Sequence, residues 1–353
     1  VQGLCRGRRF VEFVRPEESM SQSLQESNRS ALLDSGRVVV VLDDDPTGTQ
    51  TVHDLPVLTS WMDGEIAAEV NRGTPVFYVL TNSRSVGPQR AAEINREIVA
   101  ALPQDTEFIL VSRSDSTLRG HFPLETNTLA QALDVDWPVL LIPFFEEGGR
   151  LTIDDVHYVK EGDELVPAAA TPFAEDAVFG FGHSNLREWV EEKTEGVILA
   201  REVDSIPAGD PESVLSALSQ VKQVGIVNAR TMHDVEVLVE ALHRCGRRFL
   251  FRTAGSFVRA LAGLPKQPLL DKSAVLDPGG SGGLVVVGSH VPKSTAQLQA
   301  LLNERGTDIC PVKLDVSACD VASAIAEVEV GLRADKVVAL YTSRDLITGS
   351  SPE

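Results

Sequence analysis

Three consecutive carboxylates, Asp43-Asp44-Asp45, stand at the end of the apolar run Val38-Val39-Val40-Val41-Leu42 and are followed at once by Pro46-Thr47-Gly48. Crowding three acids is costly unless they serve protons, hydroxyls or a metal ion, so the group is a candidate for chemistry. Three further polar clusters follow apolar runs in the same way: Thr81-Asn82-Ser83-Arg84, then Ser112-Arg113-Ser114-Asp115-Ser116-Thr117-Leu118-Arg119-Gly120, then Pro143 through Arg150. Arginines bind carboxylates through bidentate forks, and acids accept sugar hydroxyls. If the apolar runs are parallel strands, the three acids meet Arg84, Arg113, Arg119 and Arg150 at one sheet edge, and the composite suits a small polyhydroxy acid. The same groups suit phosphoryl transfer. Asp44 or Asp45 could orient or deprotonate an attacking hydroxyl, with Mg2+ and an arginine offsetting the phosphate charge. In the competing reading, the arginines only neutralise the acids.

The elements that must position these groups are legible as patterns. Strand-like runs recur at Val38–Leu42, Val76–Thr81, Phe108–Ser112, Val139–Pro143, Gly225–Asn228 and Phe249–Thr253. Between several of them lie helical patterns: Ala91, Ile94, Ile98 and Leu102 within Pro88–Leu102, and Val235, Leu238 and Leu242 within Asp234–His243. Strands alternating with helices predict an α/β fold of mostly parallel sheets with flanking helices. Ligands bind such sheets at the carboxyl ends of the strands, where the acids and arginines stand. Phe144 to about Asn185 breaks the rhythm and reads as a long excursion.

Pro278-Gly279-Gly280-Ser281-Gly282-Gly283 reads as a linker. A second α/β unit follows: Leu284–Val287, Gly288-Ser289-His290, a helix from Pro292 to about Glu304, then Cys310–Leu314 and Val337–Tyr341. The division expected is a poorly ordered lead-in over residues 1–36, a substrate domain over 37–277, a linker over 278–283, and a partial nucleotide domain over 284–353. No Walker A motif holds a phosphate, so Gly288 and Ser289, ahead of a Pro-started helix, are the candidate nucleotide contacts. Met20 is a candidate authentic start.

With 32 Lys and Arg against 51 Asp and Glu, the net charge of -19 disfavours nucleic acid or an anionic membrane as partner. No apolar stretch approaches the ~18 residues of a membrane span, and no signal peptide is visible. Cys5, Cys245, Cys310 and Cys319 form no Cys-x-x-Cys pair, which suits a reducing cytoplasm. No histidine set has metal-ligand spacing and no residue is assigned to a metal; His53 and His121 read as structural. A homo-oligomer is compatible with all of this.

Several motifs, in order, resemble one known family. Leu42-Asp43-Asp44-Asp45-Pro46-Thr47-Gly48, Arg113-Ser114-Asp115-Ser116-Thr117-Leu118-Arg119-Gly120 and Val287-Gly288-Ser289 are similar to successive motifs of the four-carbon acid sugar kinases. Gly148-Gly149-Arg150, Asp154-Asp155-Val156-His157-Tyr158-Val159 and Thr171-Pro172-Phe173 resemble its connecting segments. The resemblance implies an ATP-dependent kinase of tetronates or oxo-tetronates. It sets Asp44 and Asp45 in the acidic pair, Arg113, Asp115, Ser116 and Arg119 in the second motif, and Ser289 on the nucleotide. Joined to the reading of the residues, it makes Asp45 the group that orients or deprotonates a terminal hydroxyl, with Asp44 on sugar or Mg2+. Arg84, Arg113, Arg119 and Arg150 serve the substrate. The family pattern continues into a Gly-Gly-x-Thr loop and a later glycine segment that are not in this sequence, so the second domain reads as incomplete. Two rivals stand. One is a sugar-acid-binding remnant without turnover. The other is a haloacid dehalogenase-like phosphatase with Asp43 as nucleophile, Asp45 as acid/base and Asp154-Asp155 as the downstream pair.

Overall fold

Val38–Asp43 offers water no face, because its branched side chains alternate onto two apolar layers. In the computed structural model, which describes residues 16–271, 282–304, 308–318 and 320–344, with side chains from residue 23, this run is a central strand. The chain divides into two units, Val1–Gln267 and Pro268–Glu353. The first runs α1 (Pro16–Asp34), β1 (Val38–Asp43), β2 (Val57–Leu58), α2 (Glu65–Asn71), β3 (Val76–Leu80), α3 (Pro88–Ala101), β4 (Phe108–Arg113), α4 (Leu124–Leu133) and β5 (Val139–Ile142). It continues β6 (Arg150–Ile153), β7 (Val156–Glu161), β8 (Glu164–Pro167), α5 (Leu186–Lys193), β9 (Asp204–Ile206), α6 (Pro211–Gln220), β10 (Val224–Val227), α7 (Met232–Cys245), β11 (Leu250–Thr253) and α8 (Gly255–Leu261).

Eight strands form one sheet in the order β2-β3-β1-β4-β11-β5-β10-β9, and each neighbouring pair is parallel. Val39, Val41, Tyr78 and Val111 face a layer that includes Leu32, Val235, Leu238 and Phe257. Val40, Leu42, Phe77 and Leu110 face Ile66, Ile94, Ile98 and Leu129. The apolar runs are therefore continuous rather than alternating, as double-sided burial requires. Helix ends carry ordinary signals: Pro88 opens α3, and Thr231 with Asp234 forms a capping box on α7, which Gly246 closes in the left-handed region.

One expectation needs correction, and another gains its detail. Within the lead-in, residues 16–34 form α1, which docks on α7; Leu32 is buried and Asn28 Nδ2 donates to the Glu236 carbonyl at 3.0 Å. A narrow apolar stripe suffices because one face alone meets the core. The excursion after Phe144 contains the antiparallel sheet β6-β7-β8. Its first turn puts Asp154 and Asp155 at φ 50° and 63°, a hairpin conformation that Asp tolerates.

The second unit holds β12 (Gly283–Val287), α9 (Pro292–Leu302), β13 (Ile309–Leu314), α10 (Val321–Arg333) and β14 (Val337–Thr342). Its sheet is parallel in the order β12-β14-β13, around Val312, Ala324, Val328 and Val338. The linker's residues 278–281 and the tail from Asp345 lie outside the described residues, as do Cys5 and Cys319. Among the described residues no helix is long and apolar enough to cross a membrane.

Candidate active site

Register brings the polar clusters to one edge. Asp43 aligns with Leu80 and with Arg113, and Thr253 aligns with Arg113 and with Ile142. The residues that follow each strand therefore emerge side by side. From β1 the chain leaves toward β2 and β3, whereas from β4 it leaves toward β5 on the other side. That reversal is the switch point at which open α/β sheets bind ligands, and the two richest motifs flank it.

The three acids have three different environments. Asp43 is buried at 2% exposure, and its Oδ1 accepts from Arg113 Nη1 at 3.1 Å and from the Asp45 amide at 3.3 Å. A Cβ at Gly48 would overlap its carboxylate, so the turn lies directly on Asp43. Burial pushes the Asp43 carboxyl up to about 7, against the pull of Arg113 and with a push from Asp44. Asp44, also 2% exposed, is gripped by Arg84 Nη2 at 2.8 Å and Nε at 3.3 Å, and Ser114 Oγ donates to it at 2.8 Å. Burial raises it while Arg84 opposes. Asp45 alone reaches solvent, its side chain 26% exposed. Burial would raise it, but hydrogen bonds from the Thr47 hydroxyl and amide, and then Arg84, hold it below the ordinary carboxylate range.

Arg84 sits on the turn after β3 and faces three carboxylates: Asp44, Asp45 at 3.1 Å and Asp115 at 3.5 Å. Asp115 accepts from Arg119 Nε at 2.8 Å and from Thr117, and these with Arg84 outweigh burial and keep it low. Ser116 is half-buried, and its carbonyl accepts from His157 Nε2 at 2.8 Å. Burial drives that histidine down to about 4, so it stands neutral behind the loop. Gly120, at φ 124°, passes so near Ser114 Oγ and Arg252 Nη2 that a Cβ would come within 2.6 and 2.7 Å; only glycine fits.

Arg119 and Arg150 flank the ring of Phe173 at 5.1 and 5.7 Å. Arg119 also faces Asp176 at 3.7 Å. Arg150 donates to the Gly148 carbonyl, and among the described residues no carboxylate lies within 4.0 Å of it. Its buried Nε has no partner there.

Asp45, Arg84, Asp115, Ser116, Arg119 and Arg150 thus gather on one open edge, while two expected site residues move to supporting roles. Arg113, 5% exposed, is spent on Asp43, and Asp44 is spent on Arg84. Gly288 and Ser289 lie in the second unit, between β12 and α9. The Gly288 carbonyl accepts from Thr342 Oγ1 at 2.8 Å and that of Ser289 from Arg344 Nη1 at 2.6 Å. Because a trans peptide points its N–H opposite its C=O, the Ser289 and His290 amides face away from those partners.

His121 is structural: Nε2 meets the Ser83 and Val86 carbonyls at 3.1 and 3.0 Å. Asp155 is tied to Arg187 at 2.7 Å, Ser205 at 2.6 Å and Asn228 at 2.9 Å, which makes it an anchor of the hairpin. Sequence reasoning missed Arg252, whose Nη1 binds Ser112 at 2.8 Å and Glu125 at 2.6 Å behind the site. It also missed Arg259, buried against Glu146 and Glu147. The one local signal was a charge interrupting each apolar run. Among the described residues no group of three His, Cys, Asp or Glu is placed to hold a metal. Asp43 and Asp44 are taken up by arginines, so the acidic motif does not fit a resident metal ion.

Residues 39–261 match the family model of a sugar-binding N-terminal domain, and residues 284–352 that of a nucleotide-binding C-terminal domain. Over 249 residues the chain is 25% identical to the D-erythronate kinase of Heliobacterium modesticaldum (strain ATCC 51547 / Ice1), covering 69% of this chain and 53% of that protein. The chain therefore spans about half the length of this curated relative. A solved structure from Salmonella typhimurium LT2 shares the fold at a TM-score of 0.61 and 17% identity, covering 86% of this chain and 74% of that one. A Bordetella bronchiseptica DUF1537 protein, solved as a domain-swapped dimer with bound citrate, gives a TM-score of 0.51 at 24% identity, covering 86% and 73%. Two domain matches in the order the motifs require place the chain in a family: it belongs to the four-carbon acid sugar kinases.

Proposed function

We propose that the open carboxyl edge of the eight-stranded sheet binds a four-carbon sugar acid, and that the γ-phosphate of ATP is transferred to its terminal hydroxyl. The observation that carries this reading is the sorting of the acids. Of three consecutive carboxylates only Asp45 meets solvent, and it is the one held ionised by Thr47 and Arg84. An ionised acceptor at the switch point is what an attacking hydroxyl needs: it accepts the hydroxyl hydrogen bond and then takes the proton as the bond to phosphorus forms. Arg84 beside it offsets the charge. Arg150, without a carboxylate partner among the described residues, and Arg119 receive the acid's carboxylate, while Asp115 and Ser116 meet the remaining hydroxyls. Asp44 and Arg113 hold this frame rigid from within.

ATP is the nucleotide we assign to the second unit, where the Ser289 and His290 amides ahead of α9 suit phosphate oxygens. Mg2+ enters in this reading with the nucleotide, since the acidic motif offers no cage for it. The phosphatase alternative is disfavoured by geometry, because Asp43 would have to attack from beneath Gly48 and Asp155 is committed to the hairpin.

The test is 31P NMR of the chain with ATP and D-erythronate. The expected product is a phosphate ester on the terminal CH2, slowed by about 10²–10⁴ in Asp45→Asn. An ester on another carbon, or ATP-independent release of phosphate from a sugar phosphate, would overturn the reading.

A further inference from the structure

The opposite edge of the same sheet, roughly 20 Å from Asp45 along the six residues of β1, carries a second feature that the kinase reading does not use. A cavity of about 40 Å3 opens among the amino ends of β4 and β11 and the last turn of α7. Arg37, Phe108, Trp137, His243, Arg247 and Phe249 are among its lining residues. Two of its arginines are committed. Arg247 donates to the α6 carbonyls of Leu218 at 2.7 Å and Ser219 at 2.9 Å and to that of Val221, just past the helix, at 2.8 Å, and stacks on Phe249. Arg248 lies over Trp137 and pairs with Glu107 at 2.7 Å. Two groups remain. Among the described residues Arg37 has no carboxylate within 4.0 Å, and the buried Nε2 of His243 has no hydrogen-bond partner.

A buried imidazole nitrogen left without a partner costs stability, and in the tautomer or protonation state that carries a hydrogen on Nε2 it donates to an acceptor placed in the cavity. A cation without a counter-ion beside it selects for an anion. In a chain of net charge -19 such a local positive excess runs against the overall charge. The volume admits roughly three water-sized groups, enough for a carboxylate and a short tail and too little for a nucleotide. We propose that this cavity binds a small organic carboxylate, its oxygens held by Arg37 and the His243 imidazole and its apolar part against Phe249 and Trp137. The facing titratable and charged groups are Arg37, His243, Arg247 and Arg248 with its partner Glu107. Burial and the Arg37 charge hold the imidazole below its ordinary value in the free chain; a bound carboxylate reverses that.

The site is tested apart from kinase activity by 1H–15N spectra of the histidine side chains during titration with propionate, inorganic phosphate and chloride, with His243→Gln assigning the signal. Propionate is expected to shift the His243 signals saturably and to favour its protonation about tenfold, one pKa unit, and Arg37→Gln should remove the response. Calorimetry of propionate binding to His243→Gln is the second readout, where a lost heat is expected. The proposal is overturned by the absence of a saturable shift, by an equal response to phosphate or chloride, or by heats unchanged in both variants.

Discussion

Replacing Asp43 by Asn separates a buried framework acid from a nucleophile. The Asp43 carboxyl stands at about 7 against an ordinary 3.8, so at about 1.36 kcal/mol per unit its ionisation costs the fold on the order of 4 kcal/mol. A folded-state pKa above the unfolded value means that this stability is fully present below pH 3.8 and is lost as pH rises through 7. Asn mimics the neutral acid and has no such loss. Asp43→Asn is therefore expected to match the parent near pH 4 and to gain on it progressively, by up to about 4 kcal/mol near pH 8. His157 acts in the opposite sense: pulled from 6.5 to about 4, it contributes stability above 6.5 that is lost as pH falls. That slope is common to both proteins and cancels in the difference. Urea unfolding followed by tryptophan fluorescence isolates the relevant unit, because Trp61, Trp137 and Trp189, all the chain's tryptophans, lie in the first. A stability gap flat across pH 4 to 8, or a parent that gains on the variant, would refute the reasoning.

Two further substitutions probe the same frame by the same fluorescence. Gly48→Ala must push its Cβ into the Asp43 carboxylate, and a loss of about 1–3 kcal/mol is expected; an unchanged midpoint would mean that the turn does not rest on Asp43. Arg84→Met strands the buried Asp44 beside Asp45 and Asp115. It is expected to cost about 3–5 kcal/mol, more at pH 8 than at pH 5 because Asp44 then ionises without its partner.

The edge at which the polar clusters meet was legible because a branched aliphatic run that empties into acids fits a buried strand ending at a polar rim and little else. Val38–Leu42 and Phe108–Ser112 announce double-sided burial by composition, and their register then fixes that Asp43 meets Arg113. What local sequence cannot carry is burial of one charge against another far along the chain. Arg252 and Glu125 are 127 residues apart, and neither looks unusual among its neighbours. For the same reason Arg113 and Asp44 read as ligands for a substrate: motif position shows that they are near the site, whereas only packing shows that they face inward. α1 was hidden by its polarity, since a helix that buries Leu32 and Asn28 on one face needs few apolar residues. β9, of three residues, is too short to leave a pattern.

The most direct measurement is calorimetric titration of the chain with D-erythronate, in the parent, Asp45→Asn and Arg150→Ala. Specific binding in the parent is expected, weakened at least about tenfold, or 1.4 kcal/mol, by Arg150→Ala, with Asp45→Asn still binding. Folded parent that takes up no four-carbon acid, or Arg150→Ala that binds it as the parent does, would contradict a sugar-acid site at this edge.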